Sequence, residues 1–209
     1  NNTEQNDSKE VYRIGKYSKT WQSLGSCGLF GANTTYPFDA GSARMAVNGK
    51  YLFVRTCHEM YNGHQANVTF SVDTSNMSIA DSFTGVMNTD LGYVSHSFNQ
   101  FIQIDNGTLL GSDHGDAYPR AITVLQYQTD ISSGSFVPQR TWGSNTDTCK
   151  EFDLMTFPGS TGNNYTGASQ GGFEYSDSSY LAAGNYDADG NSRNVFVASV
   201  SKSGGTPIV

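Results

Sequence analysis

Asn48-Gly49-Lys50-Tyr51-Leu52-Phe53-Val54, then Asn106-Gly107-Thr108-Leu109-Leu110, then Asp177-Ser178-Ser179-Tyr180-Leu181-Ala182-Ala183: the chain writes one unit three times. Each copy opens on a turn pair, continues as a short apolar strand, meets a polar or acidic corner, and resumes as a second strand near an Arg or Ala. The corner runs through His58 in the first copy, is Asp113-His114-Gly115-Asp116 in the second, and is Asn185-Tyr186-Asp187 in the third. The second strands are Val68–Val72, Ile122–Leu125 and Val195–Ala198. Counted without gaps, Leu52, Leu110 and Leu181 share a register, as do His58, Asp116 and Asp187, with Thr56, His114 and Asn185 one level further in. Repeated β-units in a chain without other periodicity imply a modular all-β architecture.

Outward from these copies the strand signature continues. Apolar runs are short, rich in Val, Ile, Phe and Tyr, and bounded by Gly, Asn, Asp or Ser, while helical spacing is nearly absent. Asn48-Gly49 and Asn106-Gly107 are hairpin turns by composition, since both residue types accept positive φ. The expected organisation is a single all-β module over 1–209, with a leading partial unit at 1–41, full units at 42–94 and 95–168, and an incomplete unit at 169–209. In the leading unit, strands are expected around Val11–Ile14 and Tyr17–Trp21. The return of the first full unit is Ser78–Val94, that of the second runs from Phe136 to Phe157, and none follows the third copy. Units of this length with four antiparallel strands are blades of a β-propeller. Three to four such blades are fewer than most propellers use, so the chain reads as a fragment of a larger propeller, as one of several chains that close a ring, or as a sandwich. The open third unit favours the fragment, with further blades of the same protein as one class of partner.

Composition narrows the partners. Among 209 residues, charged types make up only 15%, and the net charge is −7. No basic stripe is present to neutralise phosphates, which argues against nucleic acid. No apolar run approaches the roughly 20 residues that span a bilayer, which argues against membrane insertion. The polar, Gly- and aromatic-rich balance fits an extracellular or cell-surface protein, and a negative surface suits cations or neutral polar ligands such as sugars. Cys27, Cys57 and Cys149 are too far apart for a local zinc or redox motif; one disulfide with one free thiol, or three reduced thiols, both fit. Seven Asn-x-Ser/Thr sequons occur, at Asn1, Asn6, Asn33, Asn67, Asn76, Asn106 and Asn164; chance in an Asn/Ser/Thr-rich chain accounts for them as well as glycosylation does.

The corners are the candidate site, because equivalent positions of successive blades converge on one face. The ligand-binding candidates are His58, His114, Asp116, Tyr118, Arg120, Asn185, Asp187 and Arg193. The competing reading is that these polar groups cap hairpins. If the chain is an enzyme, Asp113, His114 and Asp116 are the catalytic candidates, with His114 an imidazole oriented by its acidic neighbours. Arg120 and Arg193 each follow a corner acid and read as structural clamps or as bidentate anchors for an acidic or sugar ligand. Asp187-Ala188-Asp189-Gly190-Asn191 opens like a calcium loop, with Asp187, Asp189 and Asn191 as the ligands, but lacks the later bidentate acid. No cofactor beyond that calcium is implied. His58-Glu59 has Asn62 where a zinc-protease helix requires its second His, and no nucleophile elbow or phosphate loop is present. Exposed aromatics near loops, among them Tyr12, Tyr17, Trp21, Tyr61, Trp142 and Tyr165, either stack on sugar rings or fill the space between blades.

Around Arg55–Tyr61, Tyr93–Phe101 and Asp113–Arg120 the chain resembles propeller-like regions of surface or secreted proteins of Gram-positive gut bacteria, from about residue 40 onward. That resemblance implies a propeller-type fold and an external location. The expected function is an extracellular or cell-surface binding module for a glycan or surface macromolecule. Two alternatives stand beside it: a carbohydrate-active propeller enzyme, and a structural or assembly domain.

Overall fold

The computed structural model describes residues 10–30, 36–37, 43–59, 65–83, 87–94, 96–118, 120–136, 149–157, 168–186 and 194–209. The strands in chain order are β1 Glu10–Tyr17, β2 Ser23–Phe30, β3 Tyr36–Pro37, β4 Arg44–Asn48, β5 Tyr51–Glu59, β6 Gln65–Asp73, β7 Ser78–Phe83, β8 Met87–Thr89 and β9 Gly92–Val94. They continue with β10 His96–Asp105, β11 Thr108–Tyr118, β12 Ala121–Tyr127, β13 Cys149–Thr156, β14 Ala168–Tyr175, β15 Ser179–Tyr186 and β16 Asn194–Ser201. One 3-10 turn at Ile131–Ser133 is the only helical element among the described residues.

The strands form four sheets in chain order, and nearly every pairing is antiparallel. The first sheet is the hairpin β1–β2. The second is the meander β4-β5-β6-β7, with β3 on the far end of β5. The third is β10-β11-β12-β13, extended by the hairpin β8–β9 through one parallel bridge, Cys149 with Thr89. The fourth is β14-β15-β16, against whose edge Ile208 pairs with Ser199 through two 2.8 Å backbone bonds. The return expected to be missing after the third copy thus begins within the chain. Gly204 and Gly205 take φ of 91° and 121° and fold it back.

Alternation along each strand sends side chains to opposite faces, and three apolar cores fill the spaces between successive sheets. Between the first and second sheets lie Val11, Cys27, Leu29, Val54, Val68, Phe70 and Val72. Phe53, Leu109, Leu125, Tyr127, Phe136 and Cys149 belong to the core between the second and third. Leu110, Ile122, Val124, Phe152, Phe173, Tyr180, Phe196 and Ala198 belong to the core between the third and fourth. The second and third sheets are therefore buried on both faces, which explains why β12 shows no polar stripe: all its residues except half-buried Gln126 are buried. The opening strands β4, β10 and β14 lie side by side, β10 packing against both of the others. Successive meanders stacked face to face around their first strands make an all-β, β-propeller-type fold of antiparallel blades.

The turns revise the register read from the sequence. Asn106 and Gly107 both take positive φ, 48° and 81°, between the paired Asp105 and Thr108, as a type I′ turn demands. In the first copy the pair is Asn48 with Tyr51, so the turn residues are Gly49 and Lys50. Gly49, at φ 59°, occupies the first central position, the type II′ pattern. The first copy therefore starts one residue later than Asn48-Gly49 suggested. Phe53, not Leu52, matches Leu110 and Leu181, and a one-residue slip changes the face. Leu52 packs toward the first sheet, whereas Leu110 packs toward the fourth.

Other boundaries move for local reasons. Tyr17–Trp21 is the end of β1 and its turn rather than a strand of its own, and β2 begins at Ser23. The hairpin at 87–94, read as the return of the first full unit, hydrogen-bonds the third sheet instead. Cys27 and Cys149 are buried in different cores, so they do not pair with each other, and burial pushes the Cys27 thiol above its ordinary pKa.

Gly134 shows how closely these layers fit. It sits at φ 82°, its carbonyl accepts a 2.6 Å bond from the Ser71 hydroxyl, and an added Cβ would lie 2.5 Å from the Tyr51 ring. Gly134→Ala is expected to cost about 1–3 kcal/mol through strain and overpacking, measured as a lower midpoint in urea unfolding.

Candidate functional site

The polar run of the second copy is not a corner. β11 continues through Asp113-His114-Gly115-Asp116 to Tyr118, and Asp113 and His114 pair with Thr123 and Ile122 of β12. Alternation then sends consecutive residues into different spaces. Asp113 faces the second sheet and is completely buried. Ser112 and His114 face the fourth.

Asp113 meets Arg55, which is equally buried. The Arg55 Nε donates to Asp113 Oδ1 at 3.0 Å and to Oδ2 at 3.2 Å, and one terminal amino group closes a further bond to Oδ2. The other amino group donates to Thr69 Oγ1 at 2.6 Å and to Tyr127 Oη at 2.9 Å; those two hydroxyls are themselves 2.9 Å apart. Burial opposes the charge on Arg55, and Asp113 outweighs it, holding the guanidinium above its ordinary pKa. Gly111 makes room: a Cβ there would stand 3.2 Å from Arg55 Nε. This is a desolvated carboxylate–guanidinium pair with its donors and acceptors engaged.

Comparable ties sit at the same level in the neighbouring spaces. Thr56, the counterpart of Asp113 in the second sheet, donates to Tyr12 Oη of the first at 3.4 Å. Ser112, the counterpart of Arg55 in the third sheet, accepts from Gln170 of the fourth at 2.7 Å and donates to the Thr123 carbonyl at 2.8 Å. The counterpart of Asp113 in the fourth sheet is Gly184, where a Cβ would fall 2.1 Å from the Ser169 carbonyl and 2.9 Å from the Phe196 ring.

The other candidates are dispersed. His114 is 2% exposed, and its ring meets Phe157 edge-on at 5.6 Å. Arg120 is buried, and its carbonyl accepts from Phe157 N–H at 2.8 Å. Asn185 is half-buried on β15, opposite Val195. His58 lies on β5, paired with Ala66 and Pro37, and Asp116 and Tyr118 lie at the end of β11; only their backbone is described. Asp187, Asp189, Asn191 and Arg193 lie outside the described residues, and with them the calcium-loop reading. The corrected register also changes the proposed levels: Glu59, rather than His58, matches Asp116, and Cys57, rather than Thr56, matches His114.

Two features had weaker sequence signals. Arg55 interrupts an apolar strand, and a lone charge there calls for a buried partner. Glu151, Asp153 and Asp90 gather where the β8–β9 hairpin joins β13. Glu151 is buried, accepts a bond from Thr89 Oγ1, and its N–H donates to Asp90 Oδ1 at 2.7 Å. Burial, with neighbouring Asp153 and Asp90 adding to it, pushes Glu151 up to about 8, and burial raises Asp153 as well. Among the described residues no group of His, Cys, Asp and Glu has the arrangement of a metal centre. An open groove of about 610 Å³ at the turn end of the third sheet is lined by Asn106, Thr108, Gln126, Gln128, Asp130 and Lys150 among others, and by none of the candidate ligand-binding or catalytic residues.

No protein-family model matches the chain, and no curated protein does. Among solved structures, a mutant of the GH43 protein BlXynB from Bacillus licheniformis is similar at TM-score 0.43 and 10% identity, over 84% of this chain and 30% of that one. BlXynB itself is similar at TM-score 0.39 and 9% identity, over 76% of this chain and 27% of that one. The chain thus spans less than a third of the length of either.

Proposed function

We propose that this chain is a binding module of an extracellular or cell-surface protein, with a glycan or surface macromolecule as its ligand. The observation that carries the reading is the Arg55–Asp113 pair. Asp113 was the first acid of the catalytic trio, and it is wholly enclosed between two sheets with both carboxylate oxygens engaged. A general acid or nucleophile has to reach its substrate within hydrogen-bond distance. His114, packed on Phe157 in the next space, is enclosed as well. That leaves Asp116 alone from the trio, where most glycoside hydrolases use two carboxylates.

A glycan array and a hydrolysis assay on the same glycans separate binding from catalysis. Binding without turnover, undiminished by Asp116→Asn, is the expected result; turnover that Asp116→Asn abolishes would establish the enzyme instead.

One observation favours a second reading, an assembly domain. The outward face of the fourth sheet carries Val195 and Val197 at 82% and 61% exposure, with Leu181 and Ala183 beside them half-buried. An apolar sheet face of this kind ordinarily packs on another layer. The native mass in solution tests it: a stable monomer opposes association through that face.

A further inference from the structure

The turn joining β1 to β2 presents two aromatic rings in a way the fold itself does not require. Trp21 is 83% exposed and Tyr17 is 56% exposed, with ring centroids 6.3 Å apart and planes inclined by 54°. Trp21 also takes φ 62°, the left-handed region in which bulky side chains are outliers. A turn that needed only to reverse the chain there would be served by Gly or Asn.

The conformation is held firmly. Ser18 N–H donates to the Gln22 carbonyl at 2.9 Å, and Trp21 N–H donates to the Ser18 carbonyl at 3.0 Å. The Ser18 hydroxyl accepts from the backbone N–H of Thr20 at 3.2 Å and of Gln22 at 3.0 Å, and lies 2.9 Å from the Thr20 hydroxyl. Tyr17 is seated too: its ring lies over Gly15, where a Cβ would come within 2.9 Å of it. Lys16 fastens the hairpin to the second sheet with a 2.8 Å bond to the Thr74 carbonyl. Both rings thus stand on a hydrogen-bonded turn and face each other across it, although exposure and backbone preference both disfavour a tryptophan at this point. Strain kept where packing gains nothing from it points to a task.

We infer that Tyr17 and Trp21 form a stacking site for a saccharide ring. This rests on the glycan-binding reading above and names its contact surface, remote from the strand ends that carry His58, Asp116 and Asn185. Two inclined aromatic faces match the C–H face of a pyranose, and the turn supplies hydroxyl and amide groups from Thr20, Gln22 and Ser23 for its hydroxyls. From Tyr17 to Ser26 the only charged residue is Lys19. That chemistry fits a neutral sugar better than a charged peptide, and pre-set rings avoid the ordering cost of binding.

The test uses the 209-residue chain and a panel of neutral hexasaccharides built from glucose, xylose, mannose or galactose. Affinity is read by calorimetry, and Trp21 emission in a Trp142→Phe background. Binding of at least one saccharide with a blue shift is expected. Trp21→Ala and Tyr17→Ala should each weaken it about tenfold or more, while Trp21→Phe retains most of it. Trp21→Gly should lose binding yet melt at or above the wild-type temperature, because glycine relieves the backbone. Saccharide binding unaffected by Trp21→Ala overturns this site and leaves the glycan-binding reading standing. Absence of binding to any saccharide overturns both. Trp21-dependent sedimentation with phosphatidylcholine–phosphatidylglycerol vesicles, without saccharide binding, assigns the rings to a lipid surface instead.

Discussion

Asp113→Ala should cost about 3–5 kcal/mol, because it leaves the guanidinium of Arg55 buried without a counter-charge. Against a typical domain stability of about 5–15 kcal/mol, this is a large fraction, and urea unfolding would show it as a strongly lowered midpoint. The cost comes from the partner left behind. Arg55→Met combined with Asp113→Leu removes both charges and leaves Thr69 and Tyr127, whose hydroxyls are 2.9 Å apart, bonded to each other. The double variant should therefore recover most of the stability, as buried ion pairs replaced by apolar groups often do. A single-variant cost below about 1 kcal/mol, the range of exposed pairs, would show that water reaches the pair.

The second large effect is a dependence on pH at the edge of the third sheet. Glu151 is raised from its ordinary value of 4.5 to about 8, and Asp153 is raised beside it. The folded protein therefore holds a proton here that the unfolded chain has released. Stability from this site is full below the ordinary carboxylate range and is lost as pH rises through about 8. The slope is at most about 1.4 kcal/mol per pH unit for one proton. Unfolding midpoints measured between about pH 5 and about pH 9 should fall, and Glu151→Gln, which keeps the bond to Thr89 without a charge, should flatten the profile. Asp73 titrates in a different range, since its bonds to Lys50 and Ser75 lower it to about 2. An unchanged slope in Glu151→Gln would locate the proton elsewhere. Because Thr89 and Asp90 belong to the β8–β9 hairpin, the first consequence of deprotonation should be loosening of that hairpin from β13.

The architecture was legible in the sequence because hairpins announce themselves locally. Asn106-Gly107 placed β10 and β11 correctly, since the residues that accept positive φ were the ones that needed it. Asn48-Gly49 misled by one position, because Gly49 served as the first central residue of a different turn type and Lys50 supplied the second. Composition cannot distinguish those cases, yet one residue decides which face a whole strand buries. The site was less legible for a related reason. Asp113, His114 and Asp116 look like a loop cluster in the sequence, but all three lie on β11, and pairing with β12 points Asp113 and His114 into separate spaces. The sequence points to a clamp between an acid and an arginine near Arg120; the arginine that meets Asp113 is Arg55, 58 residues away. Only tertiary contact selects such a partner. In the sequence Trp21 is one aromatic among many, because exposure and backbone conformation have no signature in composition.

The three polar ties at one level also govern assembly order. Tyr12–Thr56, Arg55–Asp113 and Ser112–Gln170 are chemically unlike, so each joint accepts only its own neighbour. Were the second sheet to dock on the fourth, Arg55 would meet Gly184 and be buried facing no carboxylate. Were the first to dock on the third, Asp113 would meet the phenol of Tyr12. Sheets of similar shape and apolar surface would otherwise stack in any sequence, within one chain or between two. The joints work as mismatched keys, and a misordered stack is rejected at the step where its faces dehydrate.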